Sequence, residues 1–155
     1  ALAKVNNSGW WVKDIQNGRW DVRETAVRIL KMAKDNQVRI IGIEKGALKN
    51  AILPYLTDIM KRVGYFPRIQ DVTHGNQKKT DRIVWSLQGR FEHGRITLNK
   101  GDWNSEFVDE LLQFPDVRTH DDLVDALSYL DQVAVTVYLK EIEDEYETYD
   151  AVSGY

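Results

Sequence analysis

A short apolar run at residues 38–43 is the feature that most constrains how this 155-residue chain can fold. Its valine and three isoleucines favour a buried strand. Apolar residues at helical spacing precede the run at 21–36 and follow it at 47–63. Because a buried strand between two amphipathic helices needs a sheet covered by helices, the chain is predicted to be an α/β protein.

The remaining segments extend this pattern. Residues 1–5 and 10–16 flank the turn sequence Asn-Asn-Ser-Gly and are predicted to form an antiparallel hairpin. Further along the chain the pattern predicts, in order, a strand at 66–73, a helix at 78–90, an extended piece at 94–98 and helices at 104–114 and 121–139. This order implies a mixed central sheet flanked by helices.

Composition predicts one globular domain at 1–139 and an acidic tail at 140–155. The chain is 43% hydrophobic, carries a net charge of −3 and contains no cysteine, which excludes disulfides and thiolate chemistry. Six acids and one base lie in the tail, which leaves 20 bases and 18 acids in the body. Because no apolar run is long enough to span a bilayer, we expect a soluble intracellular protein with no membrane partner.

Three acids precede the apolar positions of the last predicted helix. Asp121 and Asp125 are four residues apart and Asp122 and Asp125 three apart, so either pair shares a helix face. Like charges this close repel unless a cation lies between them, and carboxylates suit Mg²⁺ or Mn²⁺. The alternative is that these acids only cap the helix, where carboxylates are favoured.

Glu44 follows the buried run and therefore lies at the end of a strand, where α/β proteins gather their ligands. Alone, it could equally be the solvent-exposed start of a loop. If the last helix packs across the sheet, Glu44 and two aspartates can converge on one or two divalent ions, which would activate water against a phosphodiester.

Lys78, Lys79 and Arg82 lie on or beside one predicted helix and could contact DNA phosphates, although a solvated helix face is the alternative. His74 and His120 could assist a metal site, but isolated histidines are more often surface residues. The five tryptophans could stack on bases. Core packing is the interpretation that their strand and helix patterns favour.

Four segments, at residues 41–46, 78–83, 91–96 and 120–127, together resemble the nuclease domain of tailed-bacteriophage terminase large subunits. The resemblance covers roughly residues 1–135. It implies an RNase H-like, retroviral-integrase-like fold and a Mg²⁺- or Mn²⁺-dependent endonuclease. Such an enzyme cuts concatemeric viral DNA in the host cytoplasm during genome packaging.

The resemblance also implies residue roles and partners. Glu44, Asp122 and Asp125 match catalytic metal ligands, Asp121 is a further metal candidate, and Lys78, Lys79 and Arg82 match a DNA-binding segment. The implied partners are double-stranded DNA and, in the full-length protein, an N-terminal ATPase domain, the portal and the small terminase subunit.

One departure concerns the family's first catalytic aspartate, which lies on the opening strand of the sheet. This chain is expected to begin one strand later, so the opening strand and its aspartate are missing from it.

Two alternative functions remain open. One is another RNase H-like nuclease such as a junction resolvase, and the other is a non-catalytic DNA-binding packaging module whose acids cap a helix.

Overall fold

The structure, a computed structural model, describes residues 1–116, 120–135 and 138. The chain divides into two compact units: the first comprises Ala1–Ile15 and Lys79–Tyr155, and the second is Gln16–Lys78. In chain order the elements are β1 (Leu2–Asn6), β2 (Gly9–Asp14), α1 (Val22–Asp35), β3 (Ile40–Glu44), α2 (Ala47–Val63), β4 (Arg68–Val72), α3 (Lys79–Glu92), β5 (Ile96–Leu98), α4 (Asn104–Gln113) and α5 (Asp122–Ser128).

The first unit contains a mixed three-stranded sheet in the order β1-β2-β5. β1 and β2 form an antiparallel hairpin, and β5 runs parallel to β2. The side chain of Asn6 stabilises the hairpin turn by accepting the backbone N–H groups of Ser8 and Gly9, at 2.8 and 3.1 Å. A Cβ atom at Gly9 would lie 2.5 Å from the carbonyl oxygen of Arg95, so this close approach between the turn and the start of β5 requires glycine.

A single apolar core joins the sheet and the helices of the first unit. Trp103 and Phe107 meet edge to face at 5.7 Å inside it. The buried members of this core are Trp10, Val12, Ile15, Ile83, Leu87, Trp103, Phe107, Leu123, Val124, Leu127 and Ala134. The core therefore holds α3, α4 and α5 against β2.

The second unit pairs β3 and β4 in parallel and packs α1 against α2. Asp21 caps α1 by accepting the backbone N–H of Glu24 at 2.7 Å, and α2 ends at Gly64, which adopts the left-handed conformation with φ of 62°. The buried residues of its core are Ala26, Leu30, Ile43, Ile52, Leu56 and Met60.

The α/β class and most element boundaries agree with the sequence predictions. β3 is less buried than predicted, because Ile43 is its one fully buried residue while Ile40 and Ile41 are half-buried. The last helix also differs from the prediction, since α5 ends at Ser128 and a turn at residue 129 precedes helical residues 130–135. The acidic tail lies outside the described residues. Within the described part of the chain, no helix is long and apolar enough to cross a membrane.

Candidate active site

Asp125 is held by a nearly buried arginine on the neighbouring helix. The guanidinium of Arg82, on α3, bonds the Asp125 carboxylate through Nη2 and the Ser128 hydroxyl through Nη1. It also lies 4.1 Å above the ring of Tyr129. Arg82 is only 6% exposed, and its Nε has no hydrogen-bond partner among the described residues. This pairing fixes α3 against α5 and fixes the orientation of the Asp125 carboxylate.

Lys79 bridges two of the predicted acids. Its Nζ lies 2.7 Å from Asp121 Oδ1 and 3.3 Å from Asp125 Oδ2. Burial alone would lower the pKa of Lys79, but the hydrogen bonds and negative charges of Asp121 and Asp125 outweigh burial and raise that pKa above its ordinary value. Two carboxylates of the cluster therefore face one cation.

Glu110, on α4, caps the helix that carries the acidic cluster. Its Oε2 accepts the backbone N–H groups of Leu123 and Val124 at 2.8 and 3.1 Å, whereas the side chain of Asp121, at the N-cap position, makes no capping bond. Burial raises the pKa of Glu110, the two backbone hydrogen bonds oppose that rise, and the negative charges of Asp122 and Glu106 add to it. Because Glu110 fills the capping role, Asp121 is released to pair with Lys79.

Sequence reasoning missed Glu110, although a signal was present. The predicted helix at 104–114 is amphipathic, and Glu110 falls in line with the apolar Phe107 and Phe114. A charged residue on an apolar face is rarely buried without a partner. That position should have suggested a buried carboxylate with hydrogen-bond donors nearby.

Asp122 differs from its two neighbours. It is exposed, and within the described ranges no side chain forms an ion pair or hydrogen bond with it. Its carboxylate is therefore the member of the cluster that can accept a new cation without first losing a protein partner.

Glu44 lies in the second unit, at the end of β3 as the sequence predicted. Its Oε1 contacts Nε2 of His74, which follows β4, and both side chains are about half exposed. In the same unit Lys49, on α2, pairs with Asp71, on β4. The convergence of Glu44 with the aspartates of the first unit remains a prediction.

The three predicted DNA-binding residues, Lys78, Lys79 and Arg82, differ in burial. Lys78 is exposed and precedes α3, and Lys79 is partly exposed. Arg82 differs from the expected phosphate contact, because it is buried and its guanidinium is occupied by Asp125, Ser128 and Tyr129. His120 is exposed beside the cluster.

The donors present fit a hard divalent cation in chemical type. Asp121 and Asp125 supply carboxylate oxygens that already share one cation, the ammonium group of Lys79, and Asp125 pairs with Arg82 as well. Among the described residues, however, no group of three or more histidine, aspartate and glutamate side chains is gathered closely enough to hold a metal ion. The structure therefore provides the ligand type and a paired arrangement of two acids.

These features define an α/β protein with an acidic cluster on one helix, held by basic residues of another. The chain belongs to the terminase RNase H-like domain family, whose model matches residues 2–131. No curated protein sequence matches the chain. Family membership confirms the predicted RNase H-like fold.

Proposed function

We propose that this chain is the nuclease module of a terminase and hydrolyses DNA phosphodiesters with Mg²⁺ or Mn²⁺. The observation that carries the proposal is the Lys79 contact, in which Asp121 and Asp125 face one cation while Glu110 takes over the capping of α5. Membership in the terminase RNase H-like family supports the reaction class.

In this proposal Glu44, Asp122 and Asp125 hold the metal, with Asp121 beside them. A bound divalent ion supplies an activated water and neutralises negative charge at the phosphorus. Arg82 acts as a positioning residue, because its buried pairing orients the Asp125 carboxylate. Lys78 and Lys79 supply positive charge for the DNA backbone, which gives affinity with little sequence preference. The substrate is concatemeric double-stranded viral DNA.

One observation favours the rival proposal of a non-catalytic DNA-binding module. Asp125 is bound by two protein cations, Arg82 and Lys79. Such pairing is what we would expect of an acid that only stabilises the fold. The non-catalytic alternative also assumed that the acids cap the helix, but the side chain of Asp121 makes no capping hydrogen bond to α5. It predicts DNA binding that is unchanged by EDTA and no cleavage with any metal.

The test is plasmid cleavage in Mg²⁺ or Mn²⁺. Asp122→Asn is the sharpest variant, because Asp122 is exposed and its replacement should leave folding intact. Because losing an outer-shell partner of a metal site already costs about 10–100-fold, losing a ligand should reduce the cleavage rate by at least about 100-fold in Asp122→Asn and in Glu44→Gln. Asp125→Asn should behave similarly, with a thermal melt to check its fold.

Asp109→Asn is the matched control, since Asp109 is an exposed acid on α4. It should cut at the parent rate. Cleavage at the parent rate by both Asp122→Asn and Glu44→Gln would refute the metal assignment. Preference for four-way junctions over linear duplex would instead support a junction resolvase.

A further inference from the structure

Trp85 contradicts the expectation that the tryptophans pack in the core. Trp10 and Trp103 are buried as expected, whereas Trp11, on β2, is 37% exposed and Trp85, on α3, is 68% exposed. An exposed indole presents a flat aromatic face to the solvent, on which another planar group can stack. Neither the acidic cluster nor the capping network uses this side chain.

A groove of about 470 Å³ lies beside Trp85 within the first unit. We call it the Trp85 groove. It is lined by the β1–β2 turn residues Asn6, Asn7 and Gly9 and by Trp10, Trp85, Gly89, Arg90, His93, Arg95 and Tyr138. Its volume falls in the range of clefts that hold small ligands or parts of larger ones.

The helix α3 shapes one wall of the groove. Trp85 and Gly89 are four residues apart on this helix, and His93 follows four residues later, just past its end. They therefore form one stripe. A Cβ atom built on Gly89 would meet no heavy atom within 4 Å. The stripe is therefore open to solvent at Gly89, with Trp85 four residues before it and His93 four residues after it.

The floor of the groove is aromatic and rigidly held. The Arg90 guanidinium lies 4.3 Å from the centre of the Trp10 ring, and it also pairs with Asp131 and the Ser86 carbonyl, each within 2.7 Å. Trp10 Nε1 in turn donates to the Tyr138 hydroxyl at 3.1 Å. Because these side chains hold one another, binding here would require little reordering.

Among the described residues that line the groove, the free charge is positive and belongs to Arg95. Arg95 is exposed and is paired with no acid in the part of the chain that the structure describes. The Nδ1 atom of His93 is hydrogen-bonded to the carbonyl oxygen of Gly89, at a distance of 2.7 Å. Of the nearby acids, Asp131 is paired with Arg90 and Glu92 accepts a hydrogen bond from Gln88. An apolar peptide would find few complementary groups, whereas a phosphate would find Arg95.

We propose that the Trp85 groove binds a single-stranded nucleic-acid segment, with a base stacked on Trp85 and the adjoining phosphate contacted by Arg95. An exposed aromatic beside an unpaired arginine combines the stacking surface and the positive charge that proteins use to bind unpaired strands without sequence preference. This inference deepens the proposed function, since it gives the DNA a second contact surface. It is nevertheless tested without metal, so its failure is distinguishable from failure of the cleavage proposal.

The experiment measures binding of a fluorescent twelve-nucleotide oligo-dT by anisotropy in EDTA, with the full chain. Trp85→Ala should weaken binding by roughly tenfold, because one stacked base is lost. Arg95→Ala should weaken binding and lower the slope of log K against log salt by about 0.7, the value for one phosphate contact on a single strand. Trp85 and Arg95 are both exposed, so neither substitution should unfold the protein. A thermal melt of each variant checks this.

Two matched controls carry the same chemical changes elsewhere. Phe66→Ala removes an aromatic of equal exposure, 69%, and Arg23→Ala removes an exposed arginine on α1. Both should retain the parent affinity. A probe in which abasic sites replace the bases should bind the parent more weakly, and it should bind Trp85→Ala and the parent equally.

Three results would overturn the proposal. The first is oligo-dT affinity unchanged in both Trp85→Ala and Arg95→Ala. The second is equal loss in Phe66→Ala, which would mean that exposed aromatics act nonspecifically. The third is competition by thymidine monophosphate at the same concentration of phosphate groups as the oligonucleotide, which would indicate a mononucleotide site.

Discussion

At the scale of single residues, Glu110 shows how one buried carboxylate determines what its neighbours can do. It is 6% exposed and bonds two backbone N–H groups at the start of α5. These N–H groups would otherwise be buried without an acceptor. The acids of α5 itself are consequently left for other partners.

Glu110→Ala should therefore lower the free energy of unfolding by about 1–2 kcal/mol, the usual effect of losing a helix cap. Urea denaturation at pH 7 measures the change. The control is Asp109→Ala, on the exposed face of the same helix, which should stay within about 0.5 kcal/mol of the parent. Equal effects of the two variants would show that Glu110 does not cap α5.

Glu110→Gln should separate capping from charge. The raised pKa of Glu110 means that the folded protein holds this proton more tightly than the unfolded chain does. The resulting stability is fully present below the ordinary pKa and is lost as pH rises through the raised value. The parent should thus lose stability relative to Glu110→Gln across that window, as urea midpoints from pH 4 to pH 7 would show. A relative gain would contradict the direction of the pKa shift.

At the scale of elements, the contact between α3 and α5 depends on Arg82. Arg82→Ala should cost about 3 kcal/mol, because Asp125 would lose its better-buried partner. Arg62→Ala, in an exposed pair with Asp58, is the matched control and should cost less than about 0.5 kcal/mol after solvent screening. Thermal melts of the two variants make the comparison. Similar melting temperatures would show that the buried pair contributes nothing beyond a surface pair.

Element boundaries were predictable where the signals were local. Asp21 caps α1 through its own side chain, and Gly64 ends α2 in the left-handed conformation. The interruption after α5 carries no such signal. Tyr129, at the turn, packs on the guanidinium of Arg82 from another helix, and no local pattern contains that contact.

At the scale of the whole molecule, the sequence predicted the α/β class, the family and the cluster on α5. It could not predict how the acids divide their roles, because Asp121 and Asp125 face Lys79 only once α3 and α5 are packed. The exposure of Trp85 could not be predicted either. Its helical pattern predicted a core position, but it lies on the exposed face of α3. The sequence gives the type of each residue directly. The partner of each side chain, in contrast, depends on how distant helices pack together.

The proposed cleavage requires Glu44 and the aspartates of α5 to share a divalent cation. The most direct measurement is a crystal structure of the protein with bound Mn²⁺, located by anomalous diffraction. We expect an anomalous peak about 2.2 Å from carboxylate oxygens of Glu44 and of Asp122 or Asp125. A structure that holds Mn²⁺ elsewhere, with Glu44 more than about 10 Å from both aspartates, would contradict it, since no single ion can bridge that gap.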